Sequence, residues 1–469
     1  MTPVPLISAG IPDETALAMR SEIINLIPEA LPQGGRSGFV LRTPPGMRIL
    51  ENVGQGSIRG IYAMGGVLYV VAGERLFSVD ANGIRTNIGT ILGSSRVGFS
   101  DGFIPDTSRF LAIGTGDDGY IYDTVDGLTK ITDTDFTDRV VPSTPAYVGG
   151  YMVWPTEDGF LPSDLLAPLA YSAANFQTAE SSTDGVVALK AVYGDLWVFG
   201  GKTIEVYGIA SSGSTIFQRL QTIEYGCGAP HAITLADNGV FWLDQNKRVY
   251  RANGYSPVRV STHQLEQDLK EQDVTSAFMF SWIDRGHEFV ALTIPDGKTF
   301  VYDCATQMWH RRKTEGTDRW LPNGVANCYG ETFFADFDSG QIFMQDYSLV
   351  REGGHRLIRE FYTGYLHKNG DPLMVSALLA VVDTGNAEQT GDLDQTDPVI
   401  EMRYTDKAKS EWTNWKSRSL GRIGEYAKQI RWFGLGSIGR KGKSAQRGFH
   451  FRVSDPVKSD FIALGIEGQ

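Results

Sequence analysis

The side chains able to do chemistry are few in this sequence, and they do not gather. The seven histidines, at 231, 263, 287, 310, 355, 367 and 450, include no His-x-x-x-His and no His-Glu-x-x-His, the spacings that bring two imidazoles together around a metal. His287-Glu288 opens a strand and reads equally well as an edge pair. Cys227, Cys304 and Cys328 lie far apart with no Cys-x-x-Cys, so buried thiols in strands, made in a reducing compartment, are expected rather than disulfides or zinc. Gly434-Leu435-Gly436-Ser437-Ile438-Gly439 has the spacing of a dinucleotide fingerprint, but a pyrophosphate needs a helix N-terminus there. Gly442, Gly448 and the strand-like Phe449-His450-Phe451-Arg452-Val453 follow instead, which predicts a hairpin loop. Gly442-Lys443-Ser444 resembles the end of a P-loop whose first glycine would fall on Ser437, so that match fails. Asp133-Thr134-Asp135-Phe136-Thr137-Asp138 lacks the glycine and distal glutamate of a calcium loop and reads as a solvated turn.

No catalytic, cofactor-binding or metal residue is therefore assigned, the binding residues are left unknown, and no cofactor is expected. Nothing matches a Gly-x-Ser-x-Gly nucleophile elbow. Carboxylates of the glycosidase kind can still converge from distant strands, so a polysaccharide-degrading enzyme stays as an alternative. The repeated Ser-x-Asp-x-Gly box that some such enzymes carry is absent.

The elements that would position any site are strands. The chain has 469 residues, of which 42% are hydrophobic and 21% charged, enough for a sizeable core and too apolar for disorder. Its 54 glycines have no three-residue period, which excludes collagen and points to many turns. Aromatic residues sit in short apolar runs bounded by Gly, Asp and Asn, as strands do. No run of 18 apolar residues occurs, so no membrane-spanning segment is expected, and the N-terminus shows no secretory signal.

From about residue 55 a loose repeat begins, in which one apolar run leads through Gly or Asp to a second that carries Tyr. Ile58-Arg59-Gly60-Ile61-Tyr62 with Val67-Leu68-Tyr69-Val70-Val71 is one instance, and Leu196-Trp197-Val198-Phe199 with Ile204-Glu205-Val206-Tyr207 belongs to another. The 40–50-residue spacing is that of β-propeller blades. It favours six blades and allows seven, with a pair of β-sandwiches as the competing architecture. A helix capped by Thr262, with Leu265, Leu269 and Val274 on one face, interrupts the series.

The expected organisation is an N-terminal extended arm over 1–54, a β-propeller over 55–348 and a C-terminal β-sandwich-like docking domain over 349–469. Residues 16–27 can be read as a helix capped by Asp13 or as part of the arm, which the prolines at 28, 32, 44 and 45 favour. In the C-terminal part strands are expected at 361–366, 374–382, 399–404, 429–433, 449–454 and 461–466, around a polar loop at 385–397. The net charge is −12, but residues 401–469 hold 14 Lys and Arg against 7 Asp and Glu, a local +7 that leaves −19 on the first 400. An acidic body does not grip nucleic acid through its phosphates.

A resemblance follows from particular residues. Ala252-Asn253-Gly254-Tyr255-Ser256-Pro257-Val258-Arg259-Val260-Ser261-Thr262-His263 with Glu266, then Gly286-His287-Glu288-Phe289 and Pro295, then Thr299-Phe300-Val301-Tyr302-Asp303 and Trp309-His310-Arg311-Arg312, resemble the packaged-DNA stabilisation proteins of short-tailed bacteriophages, also called tail hub or nozzle proteins. Asn25-Leu26-Ile27-Pro28-Glu29 with Thr43-Pro44-Pro45-Gly46, and Ile430-Arg431-Trp432 with Phe451-Arg452-Val453-Ser454-Asp455-Pro456, are similar too. The resemblance implies a non-enzymatic propeller subunit of the virion tail, made in the host cytoplasm. It implies a homo-oligomeric ring, usually a hexamer, below the portal and its head-to-tail adaptor. Double-stranded DNA would pass without sequence-specific binding, a tail needle or plug would help retain it, and tailspikes or fibres would attach around the ring. A propeller adhesin is the other alternative, motivated by Trp154, Trp412 and Trp415 as surface-prone aromatics.

Overall fold

The computed structural model describes every residue except 1, 7–21, 32–37, 105–108, 180–183, 212–214, 368–371, 388–392, 407–410, 439–445 and 469. Residues 16–21 of the suspected helix or arm, Pro32, part of the polar loop at 385–397, Gly439 and Gly442-Lys443-Ser444 lie outside the described residues. Two compact units are formed, a repeat unit of 49–297 with 321–345 and a terminal unit of 1–48, 298–320 and 346–469. No helix among the described residues is long and apolar enough to cross a membrane.

The repeat unit is a succession of antiparallel sheets. The first holds Ile58–Met64, Val67–Ala72, Arg75–Val79 and Arg85–Thr90, and the second runs from Gly98–Phe103 to Gly127–Lys130. The third runs from Ala146–Val148 to Ala167–Tyr171 with Gln177–Thr178 added, the fourth from Val186–Val192 to Phe217–Ile223, and the fifth from Ile233–Ala236 to Ser256–Arg259. The sixth contributes the hairpin Phe278–Asp284 and His287–Thr293. In the seventh, Pro322–Cys328, Glu331–Asp336 and Gln341–Asp346 are followed by Gly46–Asn52. Among the described residues the count is thus the seven that the spacing allows, not the favoured six. The third sheet's first strand has only three residues, too few to show a period.

Face-to-face stacking explains the unbroken apolar runs. A strand covered on both sides needs no polar alternation, and Gly239–Leu243 is buried at every residue. Val71 and Leu76 of the first sheet pack with Leu111 and Ile113 of the second. The second and third share Ala112, Ile121, Trp154 and Leu161, the third and fourth Val153, Phe160, Val198 and Tyr207, and the fourth and fifth Phe199, Val206, Trp242 and Tyr250. Between fifth and sixth, Met279 N donates to His231 O at 2.9 Å and Ser281 Oγ to Leu235 O at 2.7 Å. Between sixth and seventh, Trp282 and Phe334 meet with ring centroids 6.0 Å apart. The cycle closes where Leu68 and Val70 pack on Phe333 and Ile342, and Asn323 Nδ2 donates to Ile58 O at 2.8 Å.

The glycine excess serves the turns after the innermost strands. At Tyr193-Gly194 both residues have positive φ, 51° and 94°, as a two-residue hairpin turn matched to strand twist requires. Asp237-Asn238, Arg285-Gly286 and Tyr329-Gly330 repeat this at the same place in later sheets. The helix expected after Thr262 is His263–Leu269. Thr262 Oγ1 accepts from Leu265 N at 3.3 Å, while Leu265 and Leu269 are buried.

The terminal unit contains two sheets. One has the order Ile27–Ala30, Phe39–Arg42, Phe461–Glu467, Leu373–Val382, Ile430–Ile438, with Thr2–Val4 also pairing Phe461–Glu467. The other runs Met308–Arg312, Glu22–Ile24, Arg359–Tyr362, Gln446–Val453, Val399–Thr405, Lys416–Ser419. Their apolar faces share one core, in which Leu378, Trp432 and Leu464 meet Phe361, Met402 and Phe451. This is a sandwich-like arrangement, and N-terminal strands take part in both sheets. The glycine run at 434–438 is not a hairpin loop. It is the end of strand Ile430–Ile438, pairing with Leu373–Val382, and the next strand, Gln446–Val453, belongs to the other sheet.

Candidate functional site

The innermost strands of the seven sheets converge on one partly open cavity of about 180 Å³, walled by residues from six of those strands and by Thr144, which leads into the seventh. Small residues permit the approach. A Cβ on Gly60 would stand 2.5 Å from Phe99 Cε2 and 2.6 Å from Val97 Cγ2, and one on Gly98 would stand 2.5 Å from Thr144 Oγ1. Bulges in the innermost strands at Ile58/Gly60, Val186/Ala188 and Pro322/Gly324 re-aim the side chains there.

The cavity's ionisable wall residues are Tyr62, Arg96, Lys190 and His231, with no carboxylate among the lining residues. Arg96 lies over the Phe278 ring at 3.7 Å and donates to Asn323 O. Burial lowers the Lys190 pKa. Burial, reinforced by the charge of Arg96, pushes His231 down to about 3, so its imidazole is neutral at pH 7. Tyr62 OH donates to Asp101 Oδ1 at 2.7 Å, and Asp101 in turn takes Arg109 at 3.0 Å. A second cavity, of about 490 Å³, has Asp138, Glu157, Asp158 and Arg139 on its wall. Three carboxylates thus share this wall, the residue type that the hydrolase alternative asks for. Among the described residues no group of three His, Cys, Asp or Glu stands where it could hold a metal ion.

The motif residues of the sequence act as latches. In the repeat unit, Glu266 on the short helix accepts from Ser261 Oγ at 2.6 Å and from Arg259 Nε at 2.7 Å. In the terminal unit, Asn25 holds φ 54° and is buried, with both ends of its side-chain amide engaged. Its Nδ2 donates to Lys313 O at 2.9 Å and Ile358 O at 2.8 Å, and its Oδ1 accepts from Lys313 N at 3.0 Å. Arg312 pairs with Glu352 in the interior and stacks on Trp320, whose Nε1 donates to Glu352 Oε1 at 3.0 Å. Arg311 NH1 reaches Glu22 Oε1 at 2.8 Å. Trp432 Nε1 donates to Lys416 O at 2.8 Å, and Asp455 Oδ2 accepts from Val399 N at 2.6 Å. An intact buried pair like Arg312–Glu352 adds little net stability, but losing one partner leaves an uncompensated buried charge.

Residues 3–349 match the family described as bacteriophage P22 Gp10, β-propeller. The chain belongs to this phage family. No curated protein sequence matches it. Among solved structures, the mitotic checkpoint complex aligns at TM-score 0.45 and 14% identity, covering 68% of this chain and 96% of that one. The virginiamycin B lyase from Staphylococcus aureus aligns at 0.42 and 9%, covering 62% and 94%. The computationally designed Ika8 protein aligns at 0.40 and 12%, covering 64% and 99%. At these scores none of the three bears on function.

Family membership makes this a phage structural protein, and the remaining sequence candidates fall into place as packing. Trp154 is fully buried, donating to Tyr171 OH at 2.9 Å, and is not a surface aromatic. Trp412 and Trp415 are half-buried, with the Arg403 guanidinium 5.0 and 4.4 Å from their rings and Arg452 4.3 Å from Trp415. The 133–138 segment is a single capped helical turn, Thr134–Thr137, with Thr134, Thr137 and Asp138 exposed and Phe136 buried. Asp133 accepts from Asp135 N at 2.9 Å and Tyr171 N at 3.2 Å, and Asp135 accepts from Ala173 N at 2.8 Å. His287 stacks on Phe289 at the start of its strand, with centroids 5.7 Å apart. His450 is buried between Tyr362 and Glu360, 3.1 Å from Glu360 Oε2. Cys227 and Cys328 are buried and Cys304 half-buried. The cavity residues Lys190 and His231 were not singled out by sequence, because no spacing within one strand reports a meeting of seven.

Proposed function

We propose that this chain is a non-enzymatic subunit of a short-tailed phage tail. Copies assemble into a closed ring, a hexamer, below the portal and its head-to-tail adaptor, where the ring conducts and helps retain packaged DNA. A tail needle or plug seals it, and tailspikes or fibres attach around it. The carrying observation is the family match over residues 3–349.

Two physical features support the reading. The motif residues are spent on latches that hold strands and loops, buried at Asn25 and Arg312 and at the surface at Arg259, as suits a part that acts by shape. The first 400 residues carry −19, and a wall of that sign lets phosphates slide where a basic wall would hold them. The cavity of about 180 Å³ at the meeting of the sheets cannot admit a duplex. The DNA passage is therefore enclosed by a ring of copies, whose contacts under cyclic symmetry are head-to-tail.

An amber mutation in this chain's reading frame tests the role. Non-suppressing infections should yield filled heads that leak DNA and lack complete tails, and purified protein added back should restore infectivity. Stable, infectious particles made without the protein would overturn the proposal.

A further inference from the structure

The cavity where the seven sheets meet is built as though for a ligand of negative charge. Lys190 is half-buried, lines the cavity, and its side chain has no hydrogen-bond or ion-pair partner among the described residues. An ammonium withdrawn from water without a counter-charge is costly, and the usual remedy is a paired anion. Thr144 Oγ1, on the same wall, is buried with no partner. The His231 ring likewise has no hydrogen-bond partner among the described residues and, being neutral, offers one N–H. Arg96 adds a positive charge held in place by Phe278 and Asn323. No carboxylate is among the lining residues, so the Lys190 ammonium has no counter-charge on the cavity wall.

We propose that this cavity binds a small inorganic oxyanion of the phosphate or sulfate type. Lys190 supplies the charge, Thr144 and His231 the neutral donors, and Arg96 a fixed positive field. The volume, about 180 Å³, corresponds to roughly six water molecules at about 30 Å³ each. That accommodates one tetrahedral anion with residual water and leaves no room for a nucleotide or a polymer. A bound anion would tie together the innermost strands at the point where the seven sheets converge.

The test uses the full chain and inorganic phosphate at constant ionic strength, with chloride as the balancing salt, followed by calorimetric titration and thermal melting. The expected result is saturable binding of one phosphate per chain with a rise in melting temperature. Lys190→Met should weaken binding at least tenfold and, without phosphate, melt no lower than the parent, because it removes a half-buried charge that no carboxylate of the cavity wall offsets. Lys190→Arg should retain binding, and Lys202→Met, a surface control, should leave it unchanged. Should Lys190→Met not fold, Lys190→Gln and the parent titration decide. No saturable binding of phosphate or sulfate by the parent, undiminished binding by a folded Lys190→Met or Lys190→Gln variant, or binding of short duplex DNA without binding of phosphate would each overturn the proposal.

Discussion

His231 provides a quantitative test of how the sheets converge. Burial and the Arg96 charge hold its pKa at about 3, against about 6.5 in an unfolded chain. The fold therefore favours the neutral ring. Stability from this site is complete above pH 6.5 and is lost as pH falls from 6.5 towards 3, because the unfolded chain takes up the proton first. At pH 5 the unfolded ring lies 1.5 pKa units into its charged range, which at about 1.4 kcal/mol per unit is about 2 kcal/mol. Water in the half-open cavity reduces this to about 1–2 kcal/mol. The perturbation is His231→Gln, which keeps a polar side chain and removes the titration. Urea unfolding of parent and variant at pH 7.5 and 5.0, without phosphate, should show the parent losing about 1–2 kcal/mol more than the variant, the common loss from other groups cancelling. The His231 ring resonance should not shift between pH 7.5 and 5. Equal losses, or a resonance titrating near 6.5, would refute the burial argument.

Other consequences follow from packing. Gly60→Ala should cost about 1–3 kcal/mol, since the new methyl must displace Phe99 and Val97, and denaturant midpoints check it. Trp154→Phe should lower stability by about 1–3 kcal/mol through the lost bond to Tyr171 and the space it leaves, whereas a tryptophan serving only as a receptor contact would leave stability unchanged. The Cys227 thiol, pushed up to about 12 by burial, should resist alkylation at pH 8 in the folded chain and react only on unfolding. Glu157→Gln with Asp158→Asn should leave bacterial surface polysaccharide as unshortened as the parent does, and a parent that shortens it would revive the hydrolase alternative.

The sequence was most legible where burial is two-sided. Val67–Ala72, residues 196–199 within Asp195–Gly200, and Gly239–Leu243 announce themselves as unbroken apolar runs, because each is covered by a sheet on both faces. The Thr262 cap and the Leu265/Leu269 stripe were legible because helix signals are local. Less legible were strands whose pairing is remote. Thr2–Val4 pairs residues 464–466, and nothing in three residues announces a partner at the far end of the chain. The run at 434–438 reads as a loop from its glycines, yet pairing with Leu373–Val382 keeps it extended. Trp154 reads as surface-prone because a single strand does not show that a second sheet covers it. Lys190 and His231 acquire meaning only when strands some 40 residues apart in sequence share one cavity.

The central claim is that this chain works by assembling into a ring. Native mass spectrometry and electron micrographs of the purified protein, alone and with the phage's adaptor ring, test it most directly. The account predicts a closed ring of six copies seated on the adaptor, and a stable monomer that never joins the adaptor or tails would contradict it.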